Sequence, residues 1–211
     1  MQQTPIHHFI FDLGGLFIDV YMDRFASGLQ KLVGKQVLPT LEKLQNDKFF
    51  DAYETGHIST AAFLDTLAST FDRNIGHEQY AACWNAILGQ VQLEQLTLIQ
   101  PFRKHHDVVL LSNTNSLHVA ALEADFEQRH PGEKLSGYFD CIFYSQEIGL
   151  RKPNADVFDF VVQSQAFNPA NTLFIDDSPG HLLGAQALGI QTLLHKQNAP
   201  LLPTLQQAGL L

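Results

Sequence analysis

Positive charge is scarce in this sequence. Its 211 residues hold 13 lysines and arginines against 22 aspartates and glutamates, a formal net charge of −9 with the histidines neutral. The basic residues form no run anywhere, and a surface that binds a phosphate backbone or an anionic membrane needs one. Nucleic-acid and membrane partners are therefore not expected. Cysteine is rarer still: Cys83 and Cys141 stand far apart without Cys-x-x-Cys spacing, which argues against a disulfide framework and a thiolate zinc site and predicts two reduced thiols in or near the core. No window approaches the roughly 20 apolar residues of a membrane span, and Met1-Gln2-Gln3-Thr4-Pro5 lacks the basic and apolar segments of a secretory signal. The expected location is the cytoplasm.

Charged residues make up only 17% of the chain and apolar ones 45%, against about 25% charged in an average soluble protein. That leaves ample side chain for a large core and excludes a disordered chain. Short runs of Val, Ile, Phe and Leu at His8 to Phe11, Val108 to Leu111, Cys141 to Tyr144, Leu173 to Ile175 and Gln191 to Leu194 read as buried strands. Helical periodicity follows over Ser116 to Phe126, Asn154 to Val162, Gly180 to Leu188 and, more weakly, Pro203 to Ala208. Alternation of this kind predicts an α/β fold with a parallel sheet covered on both faces.

Roughly residues 22 to 92 interrupt the alternation with helical periodicity and no convincing strand. Helices are expected near Phe25 to Leu32, Thr40 to Tyr53, Ser59 to Phe71 and His77 to Leu88, with breaks at Gly34, Gly56 and Gly76 and Ser59 as an N-cap. A further helix near Leu93 to Lys104 returns the chain to the sheet. The expected division is a core of residues 1–21 and 93–211, with residues 22–92 forming a helical unit inserted after the first strand.

In open α/β sheets ligands bind beyond the carboxyl ends of the strands, so the residues after each apolar run are the informative ones. These are Asp12, then Ser112-Asn113-Thr114, then Arg151-Lys152 in the loop before a helix, then Asp176-Asp177. Carboxylates without thiolate or histidine neighbours form a hard oxygen site suited to Mg²⁺, usually completed by water and substrate phosphate. The cation and Lys152 would keep Asp12 ionised and able to attack phosphorus. The Ser112 hydroxyl and backbone N–H groups near Asn113, at a helix N-terminus, would take the phosphate oxygens. A lone Asp at such a turn is more often a cap; the four groups together argue for a site.

The runs Phe9-Ile10-Phe11-Asp12-Leu13-Gly14-Gly15-Leu16, Leu110-Leu111-Ser112-Asn113-Thr114-Asn115, Gly149-Leu150-Arg151-Lys152-Pro153 and Leu173-Phe174-Ile175-Asp176-Asp177-Ser178 resemble the four ordered motifs of the haloacid dehalogenase-like hydrolase superfamily. The helical insertion resembles its subfamily I cap, and Glu54-Thr55-Gly56-His57-Ile58-Ser59 resembles a run common in those caps. The resemblance implies a Rossmann-like core, a Mg²⁺ cofactor and a small phosphorylated substrate. It implies Asp12 as the nucleophile that forms an aspartyl-phosphate, with the Gly14 carbonyl and Asp177 as further metal ligands and Asp176 acting through water or beside the metal. Ser112 and Asn113 would hold phosphate, and Lys152 would pair with Asp12 and phosphate.

One position departs from that pattern. Most phosphatases of the family carry a second Asp two residues after the nucleophile, as general acid and base, where this chain has Gly14. General acid–base help is worth a factor of about 10²–10⁴, so activated esters such as sugar 1-phosphates become better candidates than simple alkyl phosphates. Asp19 or a residue of the cap would be the substitute acid. The same gap leaves two alternatives: a 2-haloacid dehalogenase, although the intact Asp176-Asp177 pair favours magnesium chemistry, and a catalytically weak domain that binds a phosphorylated metabolite.

The ten histidines show no ligand spacing and read as surface or strand-end residues, His118 as part of a helix face. Arg151 is expected to turn away from Lys152 toward a partner carboxylate. Tyr21, Tyr53 and Trp84 are the aromatic candidates for the cleft between cap and core.

Overall fold

The computed structural model describes residues 5–211; the expectation drawn from Met1 to Thr4 falls outside the described residues. Strands β1 (His8–Phe11), β4 (Asp107–Ser112), β5 (Cys141–Tyr144), β6 (Thr172–Asp176) and β7 (Gln191–Leu194) form a sheet in the order β5-β4-β1-β6-β7. All four pairings are parallel, and β1 is central, with Phe11 level with Leu110 on one side and Ile175 on the other. The α/β Rossmann-like architecture follows.

Side-chain alternation along β1 explains the layers. Phe9 and Phe11 pack into one hydrophobic cluster with Leu110 and Ile175, while Ile10 packs into a second with Val109, Leu111 and Phe174 on the opposite face. Helices α7 (Ser116–Arg129), α8 (Ser145–Ile148), α9 (Ala155–Ser164), α10 (Pro179–Gln186) and α11 (Leu201–Gln207) connect or follow the strands.

Between β1 and β4 lie α1 (Asp23–Val33), α2 (Leu38–Asn46), α3 (Phe49–Glu54), α4 (Thr60–Thr70), α5 (His77–Asn85) and α6 (Leu93–Ile99). The first five share a core of their own built on Phe25, Phe50, Phe63, Leu67, Tyr80 and Trp84. Ser59 caps α4, its hydroxyl accepting from the Ala62 N–H at 3.2 Å.

Three expectations need correction. A strand does occur within residues 22–92: β3 (Leu88–Val91) pairs antiparallel with β2 (Ile18–Val20) and brackets the five helices. Both strands are short, and β3 contains a glycine and a glutamine, which hides the apolar run. The helix expected over Thr40 to Tyr53 is two helices, because Lys48 takes a left-handed backbone conformation at φ 60° and breaks the turn. The helix expected to reach Lys104 stops at Ile99, and a 3-10 turn over Phe102–Lys104 follows Pro101. Among the described residues no helix is long and apolar enough to cross a membrane.

Candidate active site

Because β1, β4 and β6 are parallel neighbours in register, Asp12, Ser112 and Asp176 emerge at one sheet edge. Lys152 and Asp176 are fully buried there, and Asp12 is 7% exposed. The Lys152 ammonium lies 2.7 Å from Asp12 Oδ1 and 2.8 Å from Asp176 Oδ2 and donates to the Leu111 carbonyl at 2.9 Å. Its three protons are thereby all engaged. Asp176 is also satisfied on both oxygens, receiving the Ser178 N–H at 2.7 Å and facing His181 Nδ1 at 2.9 and 3.0 Å.

This network separates the two carboxylates. Burial pushes the Asp12 carboxyl above its ordinary range against the pull of Lys152, and the charge of Asp176 adds to the rise. Burial acts on Asp176 too, but Lys152 and His181 outweigh it and hold that carboxyl well below the usual range. Burial would lower Lys152, and the two carboxylates reverse that and raise it. Asp12 is therefore a buried carboxylate short of positive charge, beside a lysine with no donor left.

The donor set suits a divalent cation. Asp12, Asp176 and His181 each place one ligating atom within 4.8 Å of the others. Asp177 is not in that group; it lies against Gly15, whose backbone sits at φ +73° and whose missing Cβ would fall on Asp177 Oδ2. Burial and then Asp176 push the Asp177 carboxyl up. The absent side chain at Gly15 thus leaves room for the half-buried Asp177 carboxylate between the loop after β1 and the loop after β6, and a carboxylate oxygen there is a hard donor of the kind a divalent cation takes. His181 was not legible as a site residue: its only signal is a place five residues after Asp176, on the first turn of α10.

Ser112 is buried and lines the cleft with Asn113. The Asn113 side chain holds the backbone of Lys152, its Nδ2 donating to the Lys152 carbonyl at 2.8 Å and its Oδ1 accepting the Lys152 N–H at 2.9 Å, while the residue itself stays on the cavity wall where its backbone was expected to meet phosphate. Arg151 turns away, pairing with Asp51 and, at 2.9 Å, with Glu54 on α3. The two halves meet closely here. The Ser145 hydroxyl donates to the Glu54 carbonyl at 2.5 Å, and a Cβ on Gly56, at φ +70°, would strike the Gln146 carbonyl.

A cavity of about 160 Å³ lies between the sheet edge and the inserted helices, lined by Asp12, Ser112, Lys152 and His181 below and by Met22, Glu54, Trp84 and Leu88 above. Trp84 thus reaches the cleft as expected. Tyr53 does not: its ring stacks on Phe63 at 4.1 Å and its hydroxyl meets Thr60 at 3.0 Å. Tyr21 is likewise engaged elsewhere, its hydroxyl donating to Asp19 Oδ2 at 3.1 Å while Gln92 Nε2 takes Oδ1 at 3.1 Å. Asp19, expected as a substitute for the missing acid, is engaged on both oxygens and does not line the cavity.

His118 lines the cavity but offers it no proton. Asn115 Nδ2 donates to Nδ1 at 3.0 Å and Nε2 lies 3.3 Å from the Trp84 carbonyl, which assigns the neutral tautomer with the proton on Nε2. Burial pushes its pKa down to about 4, partly offset by the bond to Trp84.

Comparison with known proteins agrees with this geometry. The chain is 29% identical over 194 residues to D-ribitol-5-phosphate phosphatase of Bacteroides thetaiotaomicron, a match covering 92% of this chain and 94% of that protein. It superposes with a TM-score of 0.83 on a HAD family enzyme of Bacteroides thetaiotaomicron in complex with magnesium and inorganic phosphate, at 30% identity over 92% of this chain and 96% of that one. An L-2-haloacid dehalogenase, 20% identical, shares the fold at a TM-score of 0.60 over 90% of this chain and 86% of the other. The family model for haloacid dehalogenase-like hydrolases matches residues 10–195, a span that takes in the central strands, the inserted helices and every residue of the Asp12–Lys152–Asp176 network. The chain belongs to the haloacid dehalogenase-like hydrolases.

Proposed function

We propose that the protein is a Mg²⁺-dependent phosphatase of a small phosphorylated polyol or sugar, working through an aspartyl-phosphate on Asp12. The observation that carries this reading is the Lys152 ammonium bridging Asp12 Oδ1 and Asp176 Oδ2 at 2.7 and 2.8 Å at the floor of the cleft between sheet edge and inserted helices. Support for the substrate class comes from the relative whose name gives D-ribitol 5-phosphate. The acidic pair Asp176-Asp177 favours phosphoryl transfer over displacement at carbon, which needs no cation.

Asp12 Oδ1 is fixed by Lys152 and by the Leu13 N–H at 2.7 Å, leaving Oδ2 to attack phosphorus. The new Asp12–phosphorus bond forms as the ester bond breaks; water then splits the acyl phosphate, restoring Asp12 and releasing inorganic phosphate. Lys152 meets the negative charge of the transferred group, and the Ser112 hydroxyl donates to one of its oxygens. Asp12, the Gly14 carbonyl and Asp177, with Asp176 beside them, would hold Mg²⁺, which when bound supplies charge neutralisation to the phosphate. The helices α1 to α5 act as a cap that excludes bulk water.

The test is release of phosphate from a panel of sugar and polyol phosphates, with Mg²⁺ and with chelator, beside Asp12→Asn. Turnover that needs the cation and disappears in Asp12→Asn is expected. Phosphate release that survives either treatment would overturn the mechanism.

A further inference from the structure

We propose that Glu54, reaching into the cavity from α3, is the proton donor and acceptor that takes the place of the acid missing at Gly14. The inference rests on the phosphatase reading. A polyol phosphate leaves as a primary alkoxide, a poor leaving group unless it is protonated, and Gly14 has no side chain with which to do it.

The proton-exchanging side chains on the cavity are few. Asp12 is the nucleophile, and Lys152 has all three protons engaged. His118 holds protein partners on both ring nitrogens, and His181 turns Nδ1 to Asp176 within the cation cluster. Glu54 remains, and among the described residues it is the one carboxylate that the inserted helices place on the cavity wall.

Its position is fixed from two sides. The backbone is tied by the Ser145 hydroxyl, at the start of α8, at 2.5 Å, and Oε2 is held by Arg151 at 2.9 Å, which assigns the proton exchange to Oε1. The charged groups facing it are Asp51 on its own helix, Arg151 from the loop before Lys152 and His181 on α10. Arg151 is shared between Glu54 and Asp51, so one cation faces two carboxylates. Burial and then Asp51 raise the Glu54 carboxyl against Arg151 and His181, as a group that must carry a proton in one half of the cycle requires.

In the first half, the Glu54 proton passes to the departing oxygen as the ester P–O bond breaks, giving a neutral alcohol. In the second, the Glu54 carboxylate takes a proton from the water whose oxygen attacks phosphorus, and Asp12 leaves. Water and ester are consumed, alcohol and phosphate appear, and Glu54 ends protonated as it began.

The experiment compares kcat/KM of the wild type, Glu54→Gln and His181→Asn with Mg²⁺ on p-nitrophenyl phosphate and on a pentitol phosphate. Because kcat/KM covers only the steps through phosphoryl transfer, Glu54→Gln should lose about 10²-fold or more on the pentitol ester and little on the aryl ester. It should also give a burst of p-nitrophenol, since the second half of the cycle lacks its base. Glu54→Asp, which keeps a carboxylate, should fall between wild type and Glu54→Gln, and it serves as the test if the glutamine variant does not fold. Equal loss on both esters, no loss, or the leaving-group dependence appearing in His181→Asn instead would overturn the inference while leaving the phosphatase reading intact. A wild type inert toward every ester overturns both.

Discussion

Asp177 occupies the space that a side chain on Gly15 would need. The two residues come from different motifs, and their contact joins the loop after β1 to the loop after β6, with Gly15 at φ +73°. Gly15→Ala must therefore adopt a strained backbone, at about 1–2 kcal/mol, and displace the Asp177 carboxylate as well. The expected outcome is a folded protein of lower stability whose Mg²⁺ affinity falls at least tenfold, read by calorimetric titration of Mg²⁺. Unchanged Mg²⁺ affinity would show that Asp177 is not part of the cation site.

Asn113 and Lys152 exchange two hydrogen bonds through one side-chain amide, at 2.8 and 2.9 Å. Asn113→Ala removes both and leaves a Lys152 N–H and a carbonyl without their partner, at about 1–3 kcal/mol. If the side chain positions Lys152 rather than binding substrate, kcat should fall about tenfold or more with KM nearly unchanged. A rise in KM at constant kcat would mean that the side chain binds substrate rather than positioning Lys152.

What was legible beforehand and what was not divides along chemical lines. Inner parallel strands such as Val108 to Leu111 are buried on both faces and appear as unbroken apolar runs, so they, and the groups at their ends, could be placed from periodicity, while the edge strand Gln191 to Leu194 is only partly buried and shows a shorter run. The antiparallel pair at Ile18 and Val91 has no such run, and the turn at Lys48 carries no glycine or proline to announce it. Side-chain direction was the larger gap. The sequence placed Asn113 and Asp19 near the edge, and only the fold turns one to the Lys152 backbone and the other to Tyr21 and Gln92. Glu54 and His181 reach the cavity from α3 and α10, a juxtaposition that no local spacing encodes.

Lys152 is fully buried between two carboxylates, 2.7 Å from Asp12 and 2.8 Å from Asp176. Lys152→Met keeps the volume and strips both of their counter-charge, which for a buried pair costs about 3–5 kcal/mol. Without the ammonium, both carboxyl pKa values rise in the folded state above their unfolded ones. The folded variant then binds more protons than the unfolded chain, so its stability should recover as pH falls from 8 to 5. Urea unfolding at the two pH values measures this; a deficit that is equal at both, without added metal, would contradict the network.

His118 gives the protein its own response to acid. The ring is 6% exposed and neutral, stacked on Trp84 at 4.9 Å between centroids, and burial lowers its pKa from 6.5 to about 4. Between those values the unfolded chain takes up a proton that the folded protein refuses, so the contribution is complete above pH 6.5 and is lost as pH falls toward 4. At about 1.4 kcal/mol per unit, the loss from pH 7 to pH 4.5 is about 2–3 kcal/mol. His118→Phe removes that titration whatever its absolute stability, and other groups cancel in the comparison. Wild type should therefore lose about 2–3 kcal/mol more than the variant over this interval in urea unfolding; parallel losses would mean that the imidazole is already protonated in the fold or gains a proton there without penalty.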